Sequence, residues 1–455
     1  MPELKSNQLK SNPEKEFNTV EREILRSGSK PEFKAAVGLS RQWDARKAGR
    51  EVANRTLEKL GCDPDFFLLF STIHYEKYGG FQEFLDGVWE VLPEGTPLIG
   101  GTVAGFINNY GCFTRGATAL AVSYPNMDVA VGVGRNTKRN PKKAARECAG
   151  MIKNGLKDSR YENKFLIDFI SGGLVPNMFP LGKRKVIRSG LLSRFVILLL
   201  GLSQYLLQRG VGREDEILEE LTKKLPNYSI LSGSLMDDIH FFANYQFFNR
   251  NIFTNSIVAL GLKTDLQFDI CTTHGMKKTN ISFDITKLSK DRRIIHEINH
   301  KPAALELLRL MGWPEKYLSE SIYRRVFYYP LGFEGKDGLI PEVIVLFLEN
   351  SILLTYKTEN LKVSVLNVSG KDLLDTVERN LAGVRGKKPK FGLVSSCAVR
   401  LETLSYNIYT VRNHLLNYFK ENPFLLFYAN GEAIYTPKKG LQYTNETFNS
   451  AIFWK

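Results

Sequence analysis

A chain of 455 residues exceeds what one hydrophobic core serves, and its 43% apolar content supplies ample core material, so two domains or more are expected. Five cysteines, Cys62, Cys112, Cys148, Cys271 and Cys397, show no CxxC or paired spacing, which excludes a zinc ribbon and a disulfide framework and fits a reducing compartment. The net charge of +14 brings nucleic acid and anionic membranes into consideration, but the basic runs at 135–146, 183–188, 290–293 and 385–390 lack the interleaved aromatics of a single-strand platform, so nucleic acid is not an expected partner.

Residues 1–32 are polar and charged and lack the apolar core of a secretory signal, which predicts a disordered tail on a cytoplasmic protein. KAAVGLS then reads as a strand, and Asp44 caps a helix from Ala45 to Leu60 that Gly61 ends. DFFLLFST, 65–72, has buried-strand length; a helix over 80–92 runs to the breakers Pro93 and Gly95, and TPLIGG, 96–101, is the next strand. ATALAVSY and DVAVGVG follow as two strands about a Pro-Asn turn, which predicts a hairpin, and Asn140 with Pro141 opens the helix PKKAARECAGMI.

FLIDFIS, 165–171, restarts the pattern, and EDEILEELTKKLPNYSILSGSLMDD, 214–238, repeats FLDGVWEVLPEGTPLIGGTVAG. Leu85, Leu92, Pro93 and Gly100 match Leu218, Leu225, Pro226 and Gly233 at one constant offset, with two apolar strands following each copy, which implies an internal duplication. Between the copies lies an apolar insertion at about 183–212. Leu191 to Leu207 is short for a membrane span and contains Arg194, so a buried helix or helical flap is expected, with weak peripheral membrane contact through 183–209 as the alternative.

HEINH, His296 to His300, matches the HExxH spelling of zinc peptidases, which requires a helix to bring both imidazoles to one metal. Pro302 suits the first position of a helix and disfavours α conformation at Lys301, so the helix AALELLRLMGW is expected to begin after the second histidine. Arg293 to Ile298 then alternates as a strand and 299–301 forms a turn, leaving the histidines about 13 Å apart. Glu320 is the candidate third ligand in the peptidase alternative.

LIGGTVAGF after a helix, the two adjacent strands, the second copy ending in ILSGSLMDD and the turn EINHKPAALELL together resemble the N-terminal half of the FIST family, the F-box and intracellular signal transduction proteins. KPKFGLVSSCAVRLETL, FLLFYANGEAIY and TNETFNSAIF resemble its C-terminal half, with Cys-x-x-Arg at 397–400 and Gly-Glu at 431–432. The resemblance runs from Phe33 to the C-terminus and implies an α/β fold of mixed β-sheets with flanking helices, in two FIST halves, 33–299 and 300–455. It also implies a sensory module for a small ligand, an amino acid among the candidates, with output through a separate signalling partner. SGSLMDD, where a second Gly-Gly is expected, and the apolar insertion depart from the family pattern.

The expected ligand site follows from chemistry. FGLVSSC reads as a strand carrying Ser395, Ser396 and Cys397 to the start of the helix LETLSYNIYTVRNHLLNYF, where free amides attract an anion and Arg400 adds a carboxylate clamp. Glu432 facing the same cleft receives an ammonium group, and Gly100 and Gly101 let backbone approach the ligand. The bland alternative makes Ser396 a cap, Cys397 a packed thiol, Arg400 and Glu432 exposed groups, and the glycines packing residues. Cys397 has no histidine close in sequence and no arginine six residues on, and GGTVAG lacks a P-loop lysine, so no catalytic residue, metal or cofactor is expected. The reading is a ligand-binding sensory protein rather than an enzyme; the alternatives are an HExxH zinc peptidase and a basic binding module.

Overall fold

The computed structural model describes residues 32–174, 185–335 and 338–455; the tail expected over 1–32, apart from its last residue, and the start of the apolar stretch at 183–184 lie outside these. Strand β1, Lys34–Ser40, leads to α1, Ala45–Leu60, where the Asp44 carboxylate accepts from the Lys47 amide and Gly61 closes the helix at φ 71. The carboxylate satisfies one of the free amides of the first turn, and glycine adopts the left-handed conformation without steric cost. Strand β2, Phe66–Ser71, α2, Gly80–Trp89, and β3, Leu98–Thr102, follow; α2 stops short of the expected 92 because Pro93 disfavours α conformation at Leu92. A hairpin of β4, Gly105–Asn108, and β5, Gly111–Phe113, then precedes β6, Ala117–Ser123.

The same order recurs. Strand β7, Met127–Arg135, α3, Pro141–Gly155, and β8, Asn163–Ser171, are followed by β9, Val186–Ile187, and α4, Gly190–Leu206. Then come α5, Glu214–Lys224, β10, Ser229–Leu235, a hairpin of β11, Gln246–Phe248, with β12, Asn251–Phe253, and β13, Ser256–Thr264. The two strands expected to form a hairpin, β6 and β7, do not pair with each other. Strand β6 has β1 on one edge and β2 on the other, so no edge remains for β7, which joins β13 in a second sheet. Strand β13 is likewise flanked by β7 and β8, and β14, Gln267–Thr273, leaves for a third sheet.

An inserted layer separates β14 from the rest of its sheet. It contains β15, Lys277–Leu288, β16, Ile294–Ile298, β17, Lys301–Pro302, α6, Ala303–Leu310, and α7, Tyr323–Val326. Strands β18, Leu331–Gly335, β19, Gly338–Glu342, β20, Ile344–Leu348, β21, Ser351–Leu354, and β22, Lys362–Asn367, complete it around a core that includes Ile285, Ile295, Leu307 and Phe347. Strand β9 from the apolar insertion pairs in parallel with β20 and so ties that insertion to this sheet.

The chain then returns with α8, Gly370–Ala382, β23, Pro389–Cys397, α9, Ala398–Leu404, α10, Ile408–Phe419, and β24, Phe424–Ala429. A hairpin of β25, Glu432–Thr436, and β26, Gly440–Thr444, precedes the final β27, Phe448–Trp454. The expected duplication is thus part of a threefold pattern. The sheets read β1-β6-β2-β3, β7-β13-β8-β10 and β14-β27-β23-β24, each with one parallel pair, and each accepts a hairpin from another unit. Hairpin β11–β12 completes the first sheet, β25–β26 the second and β4–β5 the third, which closes a cycle.

Three amides repeat that cycle: Met236 donates to Thr102 O at 3.1 Å, Asn430 to Ser234 O at 2.9 Å and Ala104 to Tyr428 O at 3.2 Å. Each sheet turns one face to a shared core and covers the other with helices, α1 and α2, α3 and α5, or α8 and α10. Phe70, Phe169 and Phe427 meet in the shared core with ring centroids 4.9, 5.0 and 5.4 Å apart. Gly101 lies opposite Phe70 and Gly233 opposite Phe169, so Gly233 corresponds to Gly101, one residue from the Gly100 that the constant sequence offset selects.

HEINH lies in the inserted layer on β16 and the turn after it. Asn299 and His300, at φ 51 and 61, form the two-residue turn between β16 and β17, and Pro302 precedes α6 rather than opening it. The helix that HExxH chemistry needs is absent at these residues. His296 Nδ1 lies 3.0 Å from Ser351 Oγ, His300 is exposed, and Glu320 accepts from the Lys185 and Val186 amides. No cluster of metal-ligating side chains occurs among the described residues.

Candidate pocket at the strand ends

The parallel pairs β8/β10 and β23/β24 run toward the inserted layer, and a pocket lies where their C-terminal ends meet it. Gly173 follows β8, Met236 follows β10, Cys397 ends β23 and Asn430 follows β24; Tyr323, Val343–Leu346 and Leu353 form the opposite wall. Loop segments at Lys185 and at Gly210–Gly212 close the sides, one before α4 and one after it. The pocket offers about 90 Å³ to the centres of water-sized spheres, within about 910 Å³ of empty space that includes open solvent. The ends of parallel strands are where α/β proteins hold ligands, because loops there leave a crevice whose floor is fixed by the sheet.

The walls are mainly apolar, and charged groups stand at two places. The Lys185 ammonium donates to Ile239 O at 3.3 Å and lies over the rings of Phe241 and Tyr323, and burial lowers its pKa. The Glu214 carboxyl is buried, which raises its pKa, while the Lys138 ammonium opposes that shift. Lys138 is buried too, which pulls its pKa down, and it donates to Ser171 Oγ and Gly172 O, both at 2.9 Å.

Of the residues predicted from sequence, Cys397 lines the pocket, and Ser395, Ser396, Arg400, Glu432, Gly100 and Gly101 do not. The helix expected to start after Cys397 does so at Ala398 but lasts seven residues before Ser405, at φ 46, breaks it. Ser395 Oγ donates to Ser232 O at 3.4 Å inside the shared core, and Ser396 is buried without capping α9.

Arg400 is 1% exposed, which excludes the exposed alternative. Its guanidinium donates to Leu373 O at 2.8 Å and Glu446 O at 3.4 Å, and burial lowers its pKa. Glu432 opens β25 opposite Gly233, accepts from Thr447 Oγ1 at 3.4 Å and is also buried, so it is no exposed hairpin residue. Burial pushes the Glu432 and Glu446 carboxyls well above the ordinary range, against the pull of Arg400, and burial also raises the Cys397 thiol. Arg400, Glu432, Glu446 and Cys397 therefore form one electrostatic cluster, of which Cys397 alone reaches the pocket.

Gly100 and Gly101 serve packing within the sheets. A Cβ on Gly100 would come 1.7 Å from Leu69 O, and one on Gly101 would come 2.3 Å from both the Leu235 side chain and Tyr245 O. Sequence reasoning missed Lys185, Glu214, Asn430 and Glu446. Asn430 precedes Gly431-Glu432 directly, where a strand-end signal was available; Glu214 and Glu446 lie in ordinary polar surroundings that carry no local sign of burial.

Comparison with known proteins gives a family model described as the FIST N domain, matching residues 65–301. The uncharacterized protein MJ1623 of Methanocaldococcus jannaschii is 29% identical over 149 residues, 30% of this chain and 28% of that protein's own length. A cyanuric acid hydrolase structure from A. caulinodans is 10% identical over 52% of this chain and 72% of its own, with a TM-score of 0.26. A second cyanuric acid hydrolase structure gives 9%, 53%, 72% and 0.25. TM-scores at that level do not establish a shared fold.

Proposed function

The chain belongs to the FIST family, a family of sensory domains in signal transduction, and from that premise we propose that it binds a small zwitterionic metabolite of the amino-acid class in the pocket at the strand ends. The observation that carries this reading is an apolar pocket with a cation, Lys185, and a carboxyl, Glu214, at its edges. A carboxylate ligand stabilises the Lys185 ammonium against the desolvation that burial imposes on it, and an ammonium group does the same for ionised Glu214. Cys397 and Asn430 supply the floor, and the Arg400–Glu432 cluster behind Cys397 holds that floor in place.

The pocket lies between the three-unit core and the inserted layer, so a ligand that touches both changes how they are held together. A signalling partner reads that change, and the protein works in the cytoplasm. No bond-making step is part of this reading.

A thermal-shift screen of the full chain against amino acids and related metabolites, with zinc and chelator controls, tests it. A ligand at a hundredfold excess over its Kd stabilises by about 2.7 kcal/mol. Lys185→Ala and Asn430→Ala are expected to remove that shift while leaving the unliganded melting temperature within a few degrees. A chelator-sensitive transition with no metabolite response would replace this proposal with a metal-dependent one.

A further inference from the structure

Helix α4 packs one side, with Val196, Leu192 and Ile197, on a cluster that includes Ile187 and Leu348, and turns a second apolar side outward. Its inward side carries Ser193, whose hydroxyl donates to Ile187 O at 3.3 Å, together with Val196 and Ser203. Its outward side carries Leu191, 87% exposed, Phe195 and Leu202, each 53%, Tyr205, 61%, and Leu206, 55%. At 3.6 residues per turn these five fall within an arc of about 100°. Five large apolar side chains on one arc of a surface helix leave part of its driving force for burial unspent.

The surroundings of the stripe select its partner. Arg188 precedes the helix and Arg194 borders the stripe; both are exposed and form no ion pair among the described residues. At the other end Arg139 donates to Tyr205 O at 2.7 Å and Leu206 O at 3.1 Å, which places positive charge on the helix C-terminus. Lys142 and Lys143 are exposed at the start of α3, three and four residues after Arg139, with Lys143 paired to Glu147 at 3.7 Å. Glu349, beside Gly190, is the acid packed against the helix start.

We propose that α4 is a membrane-docking helix that lies in the interface of an anionic bilayer, its apolar stripe among the headgroups and its basic flanks on lipid phosphates. Apolar area together with basic flanks is the combination that holds an interfacial helix, and each lysine or arginine near an anionic surface adds to it. The helix lies on the surface and does not cross, because among the described residues no helix is long and apolar enough to do so. A second copy is the poorer occupant, since pairing two α4 stripes sets arginines of like sign against each other at both ends.

The test is co-sedimentation of the full chain with vesicles of one part phosphatidylglycerol to two parts phosphatidylcholine, against phosphatidylcholine alone. The bound fraction is expected to be about tenfold higher on the anionic vesicles and to fall as salt is raised. Leu191→Ser with Phe195→Ser, and separately Arg188→Glu with Arg194→Glu, are expected to abolish that gain; the altered residues are exposed, and circular dichroism checks that the fold is kept. Equal binding to both vesicles, or no binding, overturns the proposal. Concentration-dependent dimers that the Leu191→Ser and Phe195→Ser pair dissolves would assign the stripe to a second copy. A Leu202→Cys thiol that stays unlabelled in the monomer would assign it to a segment of the chain itself.

Discussion

Replacing Asp168 by asparagine is expected to change the stability of the protein in opposite directions at the two ends of the pH scale. Asp168 lies on β8 between β10 and β13, fully buried, with Oδ1 accepting from Ser232 Oγ at 2.6 Å and Oδ2 without a hydrogen-bond partner among the described residues. Burial pushes its pKa from 3.8 to about 7, against the smaller downward pull of that hydrogen bond. Below pH 3.8 the carboxyl is protonated in folded and unfolded chains alike and costs nothing. Between 3.8 and about 7 the unfolded chain releases a proton that the folded chain keeps, so stability falls as pH rises. Above that range the full penalty stands, about 4 kcal/mol at 1.36 kcal/mol per pH unit.

Asparagine has the same shape and no titration. Its buried amide costs about 1–3 kcal/mol, but that cost is the same at every pH and cancels when the two proteins are compared across pH. The assay is urea denaturation of both proteins from pH 4 to pH 8. The stability of Asp168→Asn minus that of the parent is expected to rise by about 3–4 kcal/mol over that range. A difference that stays flat to within about 1 kcal/mol would refute the burial argument.

Gly233→Ala places a Cβ 2.5 Å from the Phe427 ring and 3.4 Å from Ser395 Oγ, so denaturation should show a loss of about 1–3 kcal/mol, most of it recovered when Phe427→Leu is added. Cys397, 1% exposed and held protonated by burial, should resist a thiol reagent in the native protein and react at the rate of unfolding, whereas exposed Cys62 reacts at once. His296→Ala with His300→Ala should leave bound zinc, measured by elemental analysis, unchanged, since the two residues lie on a strand and a turn; a loss of stoichiometric zinc would restore the metal reading.

The local signals were readable wherever their physics is local. Asp44 and Gly61 bound α1, Pro141 opens α3, and Pro302 keeps the helix of the HEINH region behind its second histidine. The apolar runs at β1, β2, β6, β8 and β13 gave the strands of the first two units. The third unit stayed hidden because the inserted layer, 277–367, separates β14 from α8 and breaks the spacing that betrayed the first repeat. The exchange of hairpins was hidden as well, because a strand carries no mark of which sheet will offer it a free edge.

Burial explains the misplaced side chains. Arg400 reads as exposed or as a clamp when only its own helix is considered, but α8 supplies Leu373 O and the segment before β27 supplies Glu446 O to its guanidinium. In α4 the sequence is apolar on nearly every side, so only packing could decide which side chains face water.

By itself the sequence determined the capped ends of α1 and α3, most strands of the first two units, their repeat and the family, because caps, prolines and apolar periodicity act within a few residues of themselves. Only the tertiary structure decided the pocket. Its floor comes from Gly173, Met236, Cys397 and Asn430, and its far wall from the inserted layer, residues that meet because three sheets close around one shared core.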